Sequence, residues 1–347
     1  MTFATEVLTY QDAVAALPAG RKHILLGNGF SIACDLVFKY GSLYDAAISA
    51  GLSERAQGVF QRLGTNNFEG VMRLLEDANW VAQAYGLLDS SDSEILMDVE
   101  IVKRTLVAAV ASSHLPHTGS LSDGKKAAAK AFLESYYNVF TTNYDLLAYW
   151  VNMSAQGGAI WGDGFRADAE APDAPYVVFT ERLGNDRGLF YLHGALHLFV
   201  EHGELRKHTW SRTGIPLTRL ITEGLAHGSY PLFVAEGTAE KKLEQIQRSG
   251  YLWYALDKFA RLSSPLVVFG HSLGESDGHI ANAIADNVDL RQVLVGVHDD
   301  PRSPANQAIY ASTLRMTARR EQLARRRSRI KPIKFVFYDS ATVKPWG

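Results

Sequence analysis

The chain has 347 residues, 47% hydrophobic and 21% charged, with 35 basic against 37 acidic side chains and a formal net charge of −2. That balance supplies a large core and excludes both a disordered chain and a polycationic nucleic-acid coat. The single cysteine, Cys34, rules out an intrachain disulfide framework and a four-cysteine zinc site, and it points to a reducing, cytoplasmic compartment.

The opening residues, MTFATEVLTYQD, lack the basic and long apolar stretches of a signal peptide. No run reaches the roughly 18 apolar residues of a membrane span, and no internal repeat is visible. Short apolar runs ending at glycine or polar turns read as buried parallel strands. In chain order they are HILLGNG from His23, YYNVFTTN from Tyr136, GLFYLHG from Gly188, YPLFVAEG from Tyr230, PLVVFGHS from Pro265, QVLVGVHD from Gln292 and IKFVFYD from Ile333. Helical patterns lie between most of them. The expected fold class is therefore α/β, a doubly wound, mostly parallel, Rossmann-like sheet.

The stretch from Ser42 to Ser135 is too long for one crossover, and its apolar residues recur at helical spacing. It reads as a helical insertion over residues 43–135. Residues 1–42 then form the first βα unit of the core and residues 136–347 the remainder. A Gly-, Ala-, Asp- and Pro-rich stretch from Ser154 to Pro175 reads as a long surface loop. Near the end, residues 315–331 are strongly basic, with Glu321 as their one acid. A solvated helix face and a phosphate-rich partner both explain this, so nucleic acid stays open as a partner.

Gly270-His271-Ser272-Leu273-Gly274 matches the G-x-S-x-G elbow of serine hydrolases. The elbow needs an acid and then a histidine downstream, and His298 is the last histidine in the chain. The helix also starts late, with Asp277 as its expected N-cap, so a hydrolase using Ser272 is the lesser alternative.

Gly27 and Gly29 stand where the first strand turns into a helix expected from about Ile32. Two glycines allow a tight turn and a close approach of backbone N–H groups to phosphate, but a turn without a ligand explains them too. Ile32 falls at the sixth position of G-x-G-x-x-G, so the dehydrogenase fingerprint fails. Three further strand ends carry polar groups: Thr142, Asn143 and Asp145; His193 and Gly194; and Gly270, Ser272 and Asp277. In an open α/β sheet all four loops can converge on one crevice.

GNGFS, TTNYD, LHG and GHSLGESD, in this order, resemble the sirtuin-like domain family, particularly its bacterial NAD-cleaving branch. The islands span Gly27 to Asp277. The resemblance implies that Gly27, Asn28, Gly29 and Ser31 line the pyrophosphate, with Phe30 and Thr142 as further residues that bind the dinucleotide. It implies that Asn143 positions a water or the nicotinamide ribose, Asp145 holds the carboxamide, His193 is the general base, and Gly270 and Ser272 contact the adenosine half. Asn28 departs from the family's alanine. Protein deacylases of the family carry four zinc-binding cysteines, so the one cysteine here argues against deacylation.

The activity so implied is hydrolysis of NAD+ to ADP-ribose and nicotinamide, with NAD+ as substrate, no required cofactor and no zinc, and with anti-phage defence as its setting. The alternative is a module that senses NAD+ or ADP-ribose without cleaving it. A homo-oligomer and a trigger or regulator protein fit such an enzyme, and no membrane partner is expected. His193 and His197 are four apart, but a strand-like approach and the lack of an HExxH glutamate leave no expected metal site. Trp161 and Phe165 are candidates to cover the crevice or to pack in the core.

Overall fold

A computed structural model describes residues 6–64, 68–87, 93–154, 158–184, 186–226, 229, 231–234, 238–327 and 330–347. Among them, twelve strands form two sheets. The strands are β1 (Val7–Thr9), β2 (His23–Leu26), β3 (Val139–Thr141), β4 (Phe165–Arg166), β5 (Tyr176–Phe179) and β6 (Leu189–Tyr191). They continue as β7 (Gly194–Glu201), β8 (Glu204–His208), β9 (Pro231–Phe233), β10 (Leu266–Phe269), β11 (Gln292–Val297) and β12 (Lys334–Asp339). The larger sheet is parallel throughout, in the order β1-β12-β11-β10-β2-β3-β6. This is the expected α/β, Rossmann-like class.

The central strands are buried on both faces, which explains their unbroken apolar runs: Ile24, Leu25 and Leu26 in β2 and Leu266, Val267 and Val268 in β10 are all closed to solvent. From β2 the chain builds outward through β3 and β6, then returns to β10 on the other side of β2 and runs on to β11 and β12. The order therefore reverses between β2 and β10, and the carboxyl ends of those two strands flank the crevice where ligands bind in such sheets.

Between β2 and β3 the chain is helical: Asn28–Cys34, Tyr40–Ser49, Glu54–Leu63, Phe68–Ala84, Glu94–Ser113 and Asp123–Glu134. Ser53, Ser93 and Ser122 cap three of these helices by accepting backbone N–H groups of the first turn. Residues 65–67 and 88–92 of the expected insertion lie outside the described residues.

Three expectations change. YPLFVAEG does not join the parallel sheet. β9 pairs antiparallel with β7 in a second, five-stranded sheet ordered β4-β5-β8-β7-β9, and Tyr230 and residues 235–237 lie outside the described residues. The loop expected from Ser154 is partly interior: Trp161, Asp163 and Phe165 are buried, while residues 155–157 lie outside the described residues. The helix after Gly27 starts at Asn28 rather than near Ile32, because Gly27 is already its N-cap.

Two arginines of the basic segment have structural partners. Arg319 chelates Asp286 through two bonds of 2.5 and 2.6 Å. Arg320 is buried and donates to the carbonyls of Lys331, Ala285, Asn287 and Leu290. Arg325, Arg326 and Arg327 remain exposed, and residues 328–329 lie outside the described residues. Among the described residues no helix is long and apolar enough to cross a membrane.

Candidate functional site

The glycine loops after β2 and β10 press directly on one another. A Cβ on Gly27 would lie 2.5 Å from the Gly270 carbonyl oxygen, and one on Gly270 would lie 2.6 Å from the Gly29 Cα. Gly270 also has φ +68, a left-handed value that disfavours side chains. The Gly27 N–H donates to the Phe269 carbonyl and the Gly29 N–H to the Gly270 carbonyl, both at 2.9 Å. These glycines thus serve an approach of backbone to backbone, and their own N–H groups are bonded within the protein. Phe30 and Ser31 are buried. Phe30 packs on Trp346 with ring centroids 4.8 Å apart and accepts the indole N–H at its carbonyl. Ser31 is buried beneath the loop.

Ser31 links this loop to the end of β3. Its hydroxyl donates to Asp145 Oδ2 and accepts from Asn143 Nδ2 at 2.9 Å. Asn143 Nδ2 also donates to the Gly27 carbonyl at 3.0 Å. Asp145 Oδ1 accepts the Leu147 N–H at 2.8 Å, an Asx turn that starts the helix Leu147–Met153. Asn143 Oδ1 has no protein partner among the described residues.

The end of β6 carries His193. The sharp turn into β7 requires Gly194, with φ +83 and the Leu232 carbonyl 2.0 Å from where a Cβ would stand. His193 is 2% exposed and its Nε2 lies 2.9 Å from His279 Nε2. Asp277 stands beside the pair, with Oδ1 3.8 Å from His193 Nε2 and Oδ2 3.4 Å from His271 Nε2. Lys242, fully buried on the helix Ala239–Arg248, donates to Asp277 Oδ1 at 2.9 Å. Asp277 is the N-cap residue of the helix Gly278–Asp286, as expected, yet its side chain makes no capping bond because it serves this cluster instead.

Opposite charges meet inside this cluster. Burial alone would raise the Asp277 pKa, but attraction to His193, His271 and Lys242 outweighs it and holds the carboxyl well below its usual range. Burial pushes His193 well below the ordinary histidine value, against the pull of Asp277 and with the repulsion of His279, Lys242 and His271. His279 is lowered to about 4 by burial in the same way, and His271 is lowered too. At neutral pH the three imidazoles are uncharged, and among the described residues the Asp277 carboxylate faces the Lys242 ammonium.

A cavity of 860 Å³ opens over the carboxyl ends of the parallel strands. It is lined by Asn28, Gly29, Thr142, Asn143, Asp145, His193, Gly270 and Ser272 among the sequence candidates. Gly27, Phe30 and Ser31 are absent from that lining and act behind it. Phe68 and Leu106, from the helical region, close one side, and His298, Asn306 and Ser340 line the end near β11 and β12. Trp161 and Phe165 do not cover this cavity. They line a separate space of 290 Å³ with Asp163 and Lys207.

Lys242 and the partnership of His193 with Asp277 and His279 escaped the sequence reading. One signal was present: Lys242 precedes the buried Ile246 by four residues, on the inward face of its helix. His193, Asp277 and His279 each bring one ligand atom within 4.8 Å of the others, a spacing that could hold a metal ion. The Lys242 ammonium already contacts the same carboxylate oxygen, and its charge opposes a second cation there. The serine-hydrolase geometry is not formed. The helix begins at Gly278, six residues after Ser272, the left-handed φ values fall on Gly270 and Leu273 rather than on Ser272, and among the described residues no histidine bonds Ser272 Oγ.

Residues 24–346 match the family DUF4917, described as a domain of unknown function, and the chain belongs to it. No curated protein matches the sequence. Among solved structures, the chain is similar to one described as "Structural Basis for the Mechanism and Regulation of Sir2 Enzymes", at 12% identity and a TM-score of 0.30 over 89% of this chain and 96% of that one.

Proposed function

We propose that the chain is an NAD+ glycohydrolase of sirtuin-like type, which hydrolyses the bond between nicotinamide and ribose C1′. The observation that carries the reading is the meeting of Asn143, His193 and the Gly270–Ser272 loop along one cavity at the switch point of the parallel sheet. The nicotinamide ring is cationic while bonded to C1′ and leaves as a neutral molecule, taking the electron pair of the C1′–N bond, so the step needs little acid and passes through an oxocarbenium-like state. Asn143 Oδ1 accepts from the attacking water or a ribose hydroxyl, without adding charge. Water adds to C1′ as the C1′–N bond breaks, and its proton passes to the neutral His193 imidazole. NAD+ is the substrate, and the scheme uses no cofactor and no zinc.

Purified protein incubated with NAD+ tests this by the release of nicotinamide. Turnover should fall about 10²- to 10⁴-fold in His193→Ala and Asn143→Ala. A second reading, a module that binds NAD+ or ADP-ribose without cleaving it, is favoured by one feature. Asn143 Nδ2 and both Asp145 oxygens are already bonded within the protein. Saturable binding of NAD+ with no nicotinamide released over hours would establish that reading. The motif resemblance carries the proposal further, to NAD+ depletion in the cytoplasm during phage infection under a trigger or an oligomeric control. Phage plating on cells with wild-type chain and with Asn143→Ala tests this.

A further inference from the structure

The contact between His193 Nε2 and His279 Nε2, at 2.9 Å, is a hydrogen bond and therefore needs one N–H and one lone pair. We propose that the two imidazoles share one proton and act as a relay, with His279 as the positioning residue of His193, and with Asp277 and Lys242 holding the pair in place. This rests on the reading of His193 as the base.

Among the described residues, the charged and titratable groups facing the pair come from three elements. They are Asp277 and His271 on the turn after β10, His279 on the helix that follows, and Lys242 on the helix Ala239–Arg248. His271 is not free to carry a proton. Its Nδ1 accepts the Leu273 N–H at 2.9 Å, so its proton sits on Nε2 and points to Asp277 Oδ2 at 3.4 Å. Asp277 accepts from Lys242 and brings a carboxylate oxygen within 4.8 Å of both imidazoles, so a further proton on the pair is met by a carboxylate. When His193 gains a proton from water at its other ring nitrogen, both its nitrogens carry hydrogen. The Nε2–H must then point to a lone pair on His279 Nε2, and the added charge spreads across two rings beside the Asp277 carboxylate. A lone imidazole in the same burial would bear the whole charge.

Two measurements on the full chain test the relay. In ¹⁵N-histidine NMR of the wild type, the Nε2 signals of His193 and His279 should lie between the protonated and unprotonated limits and move together with pH. In His279→Ala the His193 signals should revert to those of a single imidazole. In the NAD+ assay, His279→Ala should lower kcat about 10- to 100-fold with KM within about twofold, and shift the acidic limb of the kcat profile. His279→Gln, which keeps a hydrogen-bonding group near the Nε2 position, should recover at least about tenfold of that loss.

Unchanged His193 signals in His279→Ala, or wild-type kcat in both variants, would overturn the relay. So would one equivalent of Zn²⁺ retained on the two Nε2 atoms. If the wild type releases no nicotinamide, the glycohydrolase reading fails while the NMR still decides the relay. If His279→Ala does not fold, the wild-type titration and His279→Gln decide it.

Discussion

The two walls of the cavity are held by opposite means. On the Gly27–Gly29 side, two loops touch backbone to backbone, and the contact depends on the absence of side chains. On the His193 side, a buried carboxylate, an ammonium and three imidazoles hold each other by charge and hydrogen bonds. Steric contact is indifferent to pH and salt, whereas a buried cluster of titratable groups changes with every proton it gains. One wall is therefore a fixed frame and the other a responsive one.

Lys242→Met strikes the charged wall hardest. It strands the Asp277 carboxylate and should cost about 3–5 kcal/mol in urea unfolding. Adding Asp277→Asn should recover part of that loss, and a double variant no better than the single would break the charge-balance account.

Gly270→Ala strikes the steric wall. A methyl group 2.6 Å from the Gly29 Cα, at a left-handed φ, should cost about 3 kcal/mol. That cost should be the same at pH 5 and pH 8, and a cost that varies with pH would erase the contrast between the walls.

Acid sharpens the comparison further. Burial lowers the pKa of His193, His271 and His279, and outside this cluster that of His23, His114, His197 and His208. A histidine depressed in the folded state binds its proton more readily when unfolded, so stability is full above about pH 6.5 and falls as pH drops through that window. Each such histidine contributes up to about 1.4 kcal/mol per pH unit, down to about pH 4 for His279. Urea midpoints measured from pH 7 to pH 4 should show this slope, with a shallower one in His279→Gln.

Neither wall brings a lysine or arginine to the cavity lining among the described residues. The 2′-phosphate of NADP+ would find no cation there, so NADP+ should be at least about tenfold poorer than NAD+ by kcat/KM, near 1.4 kcal/mol. The smallest effect belongs to a control far from both walls. Gly58, inside the helix Glu54–Leu63, has nothing within 4 Å of where a Cβ would stand. Gly58→Ala should raise stability by up to about 1 kcal/mol.

Six strands of the parallel sheet were readable because a strand buried on both faces must be apolar along its whole length. β2, β3, β6 and β10 satisfy this, β11 does so after Gln292, and β12 keeps an apolar run, Phe335 to Tyr338, between a lysine and an aspartate. β1, only three residues long and at the sheet edge, leaves no such run. The β7–β8 hairpin left a usable trace. His202 and Gly203, both at positive φ, make the kind of turn that a residue followed by glycine announces between two strands.

Apolar period, glycine and capping serine are properties of neighbouring residues, and they were enough to specify the sheet class and to bring Asn143 and His193 to strand ends that share a crevice. Which groups face one another across that crevice depends on segments far apart in the chain: Lys242 reaches Asp277 across 35 positions and His193 reaches His279 across 86. No local pattern encodes such pairings, because their energy arises only when folding removes water from between them. That is why the contact of Gly27 and Gly29 with Gly270 and the histidine cluster both emerged only from the packing of the folded chain.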